Sequence, residues 1–445
     1  MVKKIAVVTL GCPKNQVDSE IMAGILRNNY LLVDDPADAN VIVVNTCTFI
    51  SDAKEESIDT ILEMAEFKKN GNCRTLIAAG CLAQRYGDEL LGEIPELDAI
   101  LGTGDIESIE EIVSQTEGER YNYVTQGKTE FIYSDELTRV RSTPRHYAYI
   151  KIAEGCDNCC TYCVIPHVRG HFRSRSEDSI LKEVNSMANE GVKEVLLIAQ
   201  DTTRYGLDLY GELRLPSLIR QIASIEGIEW IRLMYCYPES FTDDLIRTIS
   251  EEPKVCRYLD LPMQHADNKV LREMNRRGTV EEVESLIVKL RTAIPDITLR
   301  TTMITGFPGE SEEEFSKMLE FIKRVKFDRL GAFAYSQEEG TPAAQRADQI
   351  TEEVREHRRD ILMSTQQEIS FERQQRWIDR VINVIVDEKI PDGKWLARSH
   401  ADAPEIDGHV YITSSKEIDI GDIVRVKIIQ ADSYDLMGEV VSESA

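Results

Sequence analysis

The stretch EGCDNCCTYC, residues 154–163, places the thiols of Cys156, Cys160 and Cys163 close together in a C-x3-C-x2-C pattern. Such a set suits an iron–sulfur cluster, because these clusters are held by cysteine thiolates. A cubane cluster has four irons, so three protein ligands leave one iron open to a small molecule. The stretch therefore indicates a redox enzyme that coordinates a small molecule at a cluster.

Other interpretations of these cysteines stay open at this point. His167 follows closely, so a structural zinc site with three cysteines and one histidine is an alternative. Cys159 is either a fourth ligand or a plain buried thiol. Ten cysteines in 445 residues are too sparse for a disulfide scaffold. We interpret three others as ordinary thiols: Cys73, Cys236 and Cys256.

Three further cysteines each end a short apolar run. IAVVTLGC, VIVVNTC and TLIAAGC end at Cys12, Cys47 and Cys81, and β-branched runs of this kind are typical of buried parallel strands. Helical patterns at residues 19–28 and 54–69 alternate with them, which predicts a parallel sheet with helices on both faces. Ligands bind at the carboxyl ends of such strands. We therefore expect three thiols on one rim, as a second three-thiolate cluster site.

The middle of the chain predicts a full or partial barrel of βα units. Helical patterns at 176–190, 242–251, 280–293 and 311–325 separate its strand-like runs. The runs are YAYIKIAE, EVLLIAQD, WIRLMYCY, YLDLPMQH, ITLRTTMITG and RLGAFAYS. The active site of such a barrel lies at the carboxyl ends of its strands. Because the cysteine loop follows the first run, a cluster there would lie at the mouth, and zinc becomes a minor interpretation.

Polar residues at other strand ends are candidates for contacting a ligand at this mouth. A structural role is equally open for each one, including capping of the following helix by Glu310 and Ser311. The candidates are Gln200, Asp201, Tyr235, Gln264, His265, Arg300, Gly306 and Glu310.

Composition changes divide the chain into three predicted domains. A doubly wound α/β domain spans 1–135, the barrel with its linker spans 136–375, and a small OB-like β-barrel spans 376–445. The linker prediction rests on the polar run at residues 134–146. A long charged helix is expected over residues 351–380, and five short strand-like runs follow it.

Net charge and hydropathy limit the classes of protein to which this chain can belong. A net charge of −26 argues against sequence-independent nucleic-acid binding and favours a basic partner, although solubility alone is an alternative. Residues 376–445 hold 8 Lys+Arg and 14 Asp+Glu, and Asp387, Glu388 and Asp392 are expected as an exposed acidic cluster there. No signal peptide or membrane span is predicted, and unpaired thiols suit a reducing compartment, so we expect a cytoplasmic protein.

These motifs together resemble the radical S-adenosylmethionine (SAM) methylthiotransferases along essentially the whole chain. The C-x3-C-x2-C loop is similar to that superfamily's signature, whose spacing selects Cys160 over Cys159. The final β module resembles the family's TRAM domain, and residues 165–175 also fit the family. Residues 10–20, LGCPKNQVDSE, are similar to the RimO branch, whereas the tRNA-modifying branch typically has Gln-Met-Asn after the first cysteine.

The resemblance implies two 4Fe–4S clusters, one held by Cys156, Cys160 and Cys163 and an auxiliary one held by the three rim cysteines. It implies that SAM serves as radical source and methyl donor. The implied reaction adds a methylthio group to the β-carbon of an aspartate in small-subunit ribosomal protein number twelve. Cofactor contacts are predicted at the mouth; no catalytic residue is assigned beyond the cluster ligands.

The resemblance also implies partners. These are a reductant protein or flavin, a sulfide or polysulfide source and the basic ribosomal protein, with no membrane and no direct nucleic-acid binding. Two alternatives remain. One is a tRNA adenosine methylthiotransferase on the same scaffold, and the other is a non-catalytic zinc-stabilised RNA-binding or scaffold protein.

Overall fold

The β-branched runs at the N-terminus form the first sheet of the computed structural model, which describes residues 2–116, 123–125 and 129–441. Its strands are β1 Lys4–Thr9, β2 Leu31–Leu32, β3 Val41–Thr46, β4 Thr75–Gly80, β5 Ala99–Leu101 and β6 Tyr123–Thr125. All pair in parallel, in the order β2-β1-β3-β4-β5-β6. β3 and β4 are buried at every position, as expected for strands covered on both faces.

Helices cover both faces of this sheet, which confirms the doubly wound prediction. They are α1 Pro13–Leu26, α2 Ser51–Asn70, α3 Cys81–Glu93 and α4 Ile109–Gln115. α1 and α4 pack on one face, and α2 and α3 pack on the other. α1 begins earlier than the predicted residue 19, because Pro13 starts the helix. The polar first turns of α1 are buried, so hydrophobic periodicity did not reveal them.

Six parallel strands form the central sheet, in the order β14-β13-β12-β11-β10-β7. It is an open, partial barrel, and its strands are the six predicted runs. The strands of the central unit are β7 Tyr147–Lys151, β8 Ala153–Glu154, β9 Arg173–Ser174, β10 Glu194–Ile198, β11 Trp230–Leu233, β12 Val255–Asp260, β13 Thr298–Thr305 and β14 Arg329–Ala334. β8 and β9 form a separate antiparallel pair.

Amphipathic helices cover one face of the central sheet and form the largest core of the described chain. The helices of the central unit are α5 Ile165–Arg169, α6 Glu177–Asn189, α7 Leu207–Tyr210, α8 Leu215–Ala223, α9 Asp243–Glu251, α10 Asn268–Glu273, α11 Val280–Ala293, α12 Glu312–Val325 and α13 Glu352–Gln374. Tyr149, Leu196 and Tyr258 project from the opposite face and share a core with α1. The N-terminal domain is therefore packed onto the barrel.

The C-terminal segment forms the predicted five-stranded barrel. Its strands are β15 Val381–Ile390, β16 Lys394–Ser399, β17 Val410–Thr413, β18 Ile423–Ala431 and β19 Leu436–Val440, closed in the order β15-β16-β17-β19-β18. Short 3-10 helices also occur along the described chain, at Pro36–Asp38, Ile106–Ser108, Thr202–Arg204, Pro238–Ser240, Ala343–Gln345, Gln375–Trp377 and Pro391–Gly393. No helix among the described residues is long and apolar enough to cross a membrane.

Buried ion pairs fix the small barrel to the central sheet. Arg398 lies 2.7 Å from Glu194, the first residue of β10, and both side chains are buried. Asp387 lies 2.7 Å from His146 and 2.8 Å from Arg398. The expectation of an exposed cluster is therefore wrong for Asp387, because Arg398 of the same barrel and His146 of the linker contact it. Glu388 and Asp392 are exposed.

The predicted linker at residues 134–146 contains no helix or strand, but it is held in place. Arg139 donates to Glu20 of α1 at 2.6 Å and to Glu183 of α6 at 2.8 Å. Burial alone raises the pKa of Glu183, but Arg175 and Arg139 lower it below its ordinary value. The segment therefore joins the N-terminal domain to the barrel. The boundaries at residues 135 and 375 stay predictions.

Replacing Arg139 with Met should destabilise the protein strongly. The substitution leaves the buried carboxylates of Glu20 and Glu183 short of a cation, which typically costs about 3–5 kcal/mol. The free energy of unfolding from urea titration checks this, with Arg247→Met as control. Arg247 pairs with Asp244 at the surface, so its loss should cost less than about 0.5 kcal/mol. Equal shifts for both variants would contradict the account.

Candidate active site

The register of the first sheet brings three cysteines to one rim. Thr9 lies opposite Asn45, and Thr46 lies opposite Gly80, so β1, β3 and β4 end together. Cys12, Cys47 and Cys81 follow these three strand ends. The strand order matches the flavodoxin-like arrangement, in which the ligand lies at the switch point between β1 and β3. The rim prediction therefore has a topological cause.

Glycines allow the backbone segments of this rim to approach each other. Gly11 has φ +85°, and a Cβ there would lie 2.8 Å from the Cβ of Cys47. Gly80 has φ +90°, and a Cβ there would lie 2.1 Å from the side-chain oxygen of Asn45. L-residues rarely adopt such φ values. Glycine is therefore required before both Cys12 and Cys81.

The rim thiols act on one another electrostatically. Burial, with the neighbouring Cys12 and Cys81, raises the pKa of Cys47 to about 12. Burial also raises the pKa of Cys81, with Cys12 contributing. Three adjacent thiolates repel each other unless cations lie between them. Soft thiolate donors in this arrangement fit an iron–sulfur cluster.

The cysteine loop after β8 forms the second thiol group. Cys156 and Cys160 are buried, and Cys163 is half-buried. Burial raises the pKa of Cys156 to about 11, with Cys160 contributing, and burial and Cys160 raise that of Cys163. Cys159 is exposed, with φ +50°. The loop thus separates Cys159 from its three neighbours, which supports the predicted choice of Cys160.

The exposure of His167 weighs against a zinc site of three cysteines and one histidine. A zinc ion needs ligands at about 2.0–2.3 Å from one centre, whereas each cysteine of a cubane binds its own iron. His167 is exposed, apart from the buried thiols.

Arg169, at the end of α5, connects the two thiol groups. Its Nε lies 3.3 Å from the Sγ of Cys81, and its Nη1 donates to Asp18 at 2.7 Å and to Glu154 at 3.1 Å. Glu154 lies two residues before Cys156. Burial alone lowers the pKa of Arg169, but Asp18, Cys81 and Glu154 raise it well above its ordinary value. The guanidinium therefore stays charged between the two sites.

Glu154 is the anionic centre of the barrel mouth. Lys151 lies 2.7 Å from it, and Gln200 donates to it at 2.6 Å. Burial alone raises the pKa of Glu154, but Lys151 and Arg169 lower it well below its ordinary value. The side-chain oxygen of Gln200 is buried without a hydrogen-bond partner in the described structure, so this predicted residue keeps a polar atom for a ligand.

Three other predicted ligand contacts, Asp201, Gln264 and Arg300, have different partners in the structure. Asp201 accepts from Asn158 of the cysteine loop at 2.9 Å. Gln264 bridges to β13 with φ +77°. Arg300 lies near the start of β13, not at its end, and reaches Asp407 of the small barrel at 3.3 Å. Its role in cofactor binding stays a prediction, as do those of the other candidates.

The side chain of Glu310 stabilises the turn at residues 306–310, which follows β13. Glu310 accepts from the backbone N–H of Gly306 at 3.1 Å and pairs with Arg358 at 2.7 Å. His265 donates from Nε2 to Glu310 at 3.0 Å, because its Nδ1 accepts from the N–H of Asp267. His265 is therefore a satisfied buried histidine, and Ser311 caps α12.

Sequence reasoning missed the charged residues that join the two thiol groups. Lys14 and Asp18 lie in the polar start of α1, and Lys151 and Glu154 interrupt or end the apolar run of β7 and β8. A charge inside an otherwise buried strand run was the signal that could have found the last two. Their partners come from distant segments, so no local pattern reveals Arg169 as the link.

Models of three protein families match the chain. One described as Uncharacterized protein family UPF0004 matches residues 4–102, the Radical SAM superfamily matches residues 150–322, and the TRAM domain matches residues 378–441. In chain order, the three matched ranges correspond to the N-terminal sheet, the central sheet and the C-terminal barrel.

Relatives match over the full length. A ribosomal protein uS12 methylthiotransferase RimO of Desulfitobacterium hafniense is 65% identical over 439 residues, covering 99% of both chains. The chain belongs to the RimO family. RimO of Heliobacterium modesticaldum is 52% identical, covering 99% of this chain and 95% of its own, and that of Clostridioides difficile is 50% identical, covering 99% and 100%.

Solved structures confirm the fold of this RimO-family chain. The radical SAM methyltransferase TsrM from Kitasatospora setae, solved with cobalamin and a [4Fe-4S] cluster, has a TM-score of 0.55 at 15% identity and covers 77% of each chain. The cobalamin-dependent radical enzyme OxsB has a TM-score of 0.52 at 13% identity, covering 83% of this chain and 56% of its own.

Iron content tests the two thiol groups separately. After anaerobic reconstitution, the wild-type chain should bind about eight irons, and replacing Cys156, Cys160 and Cys163 with Ala should leave about four. Cys159→Ala is the matched control and should leave the iron content unchanged, because that thiol is exposed. Stoichiometric zinc, or loss of about four irons in the control, would refute the ligand assignment.

Proposed function

We propose that this chain methylthiolates the β-carbon of an aspartate in ribosomal protein uS12. The observation that carries the proposal is the pair of three-thiol sites linked through Arg169, which contacts Cys81 and Glu154. The RimO-family relatives of the chain are named as uS12 methylthiotransferases. When bound, two 4Fe–4S clusters and SAM supply radical generation at the barrel and sulfur and methyl transfer at the rim.

Two separate sets of cysteines would hold the two clusters, which keeps the radical chemistry apart from the sulfur chemistry. Cys156, Cys160 and Cys163 are the ligands proposed at the barrel mouth, and the three rim cysteines are those proposed for the auxiliary cluster. The N-terminal domain covers the mouth, and Glu338 after β14 pairs with Lys54 and Arg85 at 2.8 Å. Such closure excludes water, which protects a reactive radical from side reactions.

Net charge supports a basic protein partner. The chain carries −26, and electrostatic steering would favour a Lys/Arg-rich ribosomal protein over RNA. We place the reaction in the cytoplasm, with a protein or flavin reductant and a sulfide or polysulfide source. The acidic small barrel weighs against the tRNA-modifying alternative, because a phosphate groove needs basic residues.

The auxiliary site can be separated from the barrel site by function. Replacing Cys12, Cys47 and Cys81 with Ala should leave 5′-deoxyadenosine formation largely intact and abolish methylthio transfer, since the radical and sulfur functions lie on different ligand sets. Chromatography of the nucleoside and mass spectrometry of uS12 measure the two products. Normal sulfur transfer by this variant would show that the rim has another role.

A deletion strain tests the substrate class. Mass spectrometry should find uS12 without its methylthio group and tRNA with its modified adenosines unchanged. Complementation with the wild-type chain should restore uS12, and complementation with the rim-cysteine variant should not. The reverse pattern, with tRNA affected and uS12 unchanged, would establish the alternative function.

A further inference from the structure

Lys14 is a buried lysine between the cysteine rim and the carboxyl edge of the barrel sheet. It lies in the first turn of α1, two residues after Cys12, and only 6% of its surface is exposed. Its Nζ lies 2.9 Å from the ring centre of Tyr235, which follows β11 at the carboxyl edge of the barrel sheet. The side chain therefore crosses from the rim to the barrel mouth.

The ammonium of Lys14 lacks an anionic partner within the described parts of the chain. No carboxylate lies within ion-pair distance and no oxygen accepts a hydrogen bond from it; its recorded contact is the ring of Tyr235. Lys151 is also a buried lysine, but its ammonium pairs with the carboxylates of Asp18 and Glu154. Burying a charge without a carboxylate partner is costly, so this position suits an anion that enters from outside the described chain.

The position limits the chemistry of that anion. Cys12 lies two residues before Lys14, Tyr235 contacts its ammonium, and Asp260 and Glu154 act on it only from beyond ion-pair distance. A group held here would lie beside the rim cysteine Cys12 and the carboxyl edge of the barrel sheet. Since the chain as a whole is strongly acidic, a local cation is needed to hold a carboxylate at this point.

We propose that Lys14 binds the side-chain carboxylate of the acceptor aspartate and so selects aspartate over asparagine. This inference rests on the proposed function. The β-carbon is directly bonded to that carboxylate carbon, so holding the carboxylate fixes the carbon that is modified between the barrel mouth and the rim. Lys14 is thus a binding and specificity residue for the acceptor.

The charge of Lys14 would also suit two alternative roles that do not involve the acceptor. Lys14 would offset the negative charge of the rim thiolates, or it would hold α1 on the barrel through the Tyr235 ring. Neither role distinguishes an aspartate from an asparagine in the acceptor. Substrate discrimination is therefore the property that separates the proposal from both.

The test compares uS12 carrying Asp or Asn at the acceptor position. Wild-type kcat/KM should favour Asp by about tenfold to a hundredfold, the usual value of a hydrogen bond to a charged group. Lys14→Met should lower kcat/KM for Asp by that factor and leave Asn unchanged. Lys14→Arg should retain much of the preference. Lys69→Met removes an exposed charge and should change neither.

Readouts other than turnover complete the test. Iron content, SAM cleavage without uS12 and the EPR spectrum of the auxiliary cluster should be the same in wild type and Lys14→Met. Lys14→Gln, which stays polar, provides the same comparison if the Met variant folds poorly. An unchanged Asp preference in these variants, or an altered cluster spectrum with that preference retained, overturns the inference. Modification of neither acceptor by the wild type overturns the proposed function itself.

Discussion

The buried guanidinium of Arg169 is the interaction on which the site depends. It contacts the thiol of Cys81 in one domain and the carboxylate of Glu154 in the other, with Asp18 completing the set. Removing one member of a buried ionic group leaves an uncompensated charge. The two domains are therefore held in one relative position, with the rim thiols facing the barrel mouth.

Much of the architecture could be predicted from the sequence because its signals are local. The runs before Cys12, Cys47 and Cys81 are β-branched and buried, and the six central runs alternate with amphipathic helices. The carboxyl-end rule then predicted one rim for the three cysteines that follow β1, β3 and β4. Strand direction and order, rather than any single residue, determine where those cysteines meet.

The parts that could not be predicted are long-range pairings between charged residues. Asp387 belongs to an acidic turn in sequence, yet His146 and Arg398 surround it in the structure. Lys14 precedes the helix predicted at residues 19–28, yet it lies in the first turn of α1 and is buried where that helix packs on the barrel. Such burial follows from how domains dock, and hydrophobic periodicity within one element contains no information about it.

The central claim is that the two thiol sites hold clusters that face each other across Arg169. EPR spectroscopy of the fully reduced, reconstituted protein tests it most directly, because nearby paramagnetic clusters broaden and split each other's signals. We expect an interaction spectrum that collapses to an isolated-cluster signal when Cys12, Cys47 and Cys81 are replaced. Two independent, non-interacting signals in the wild-type protein would contradict the account.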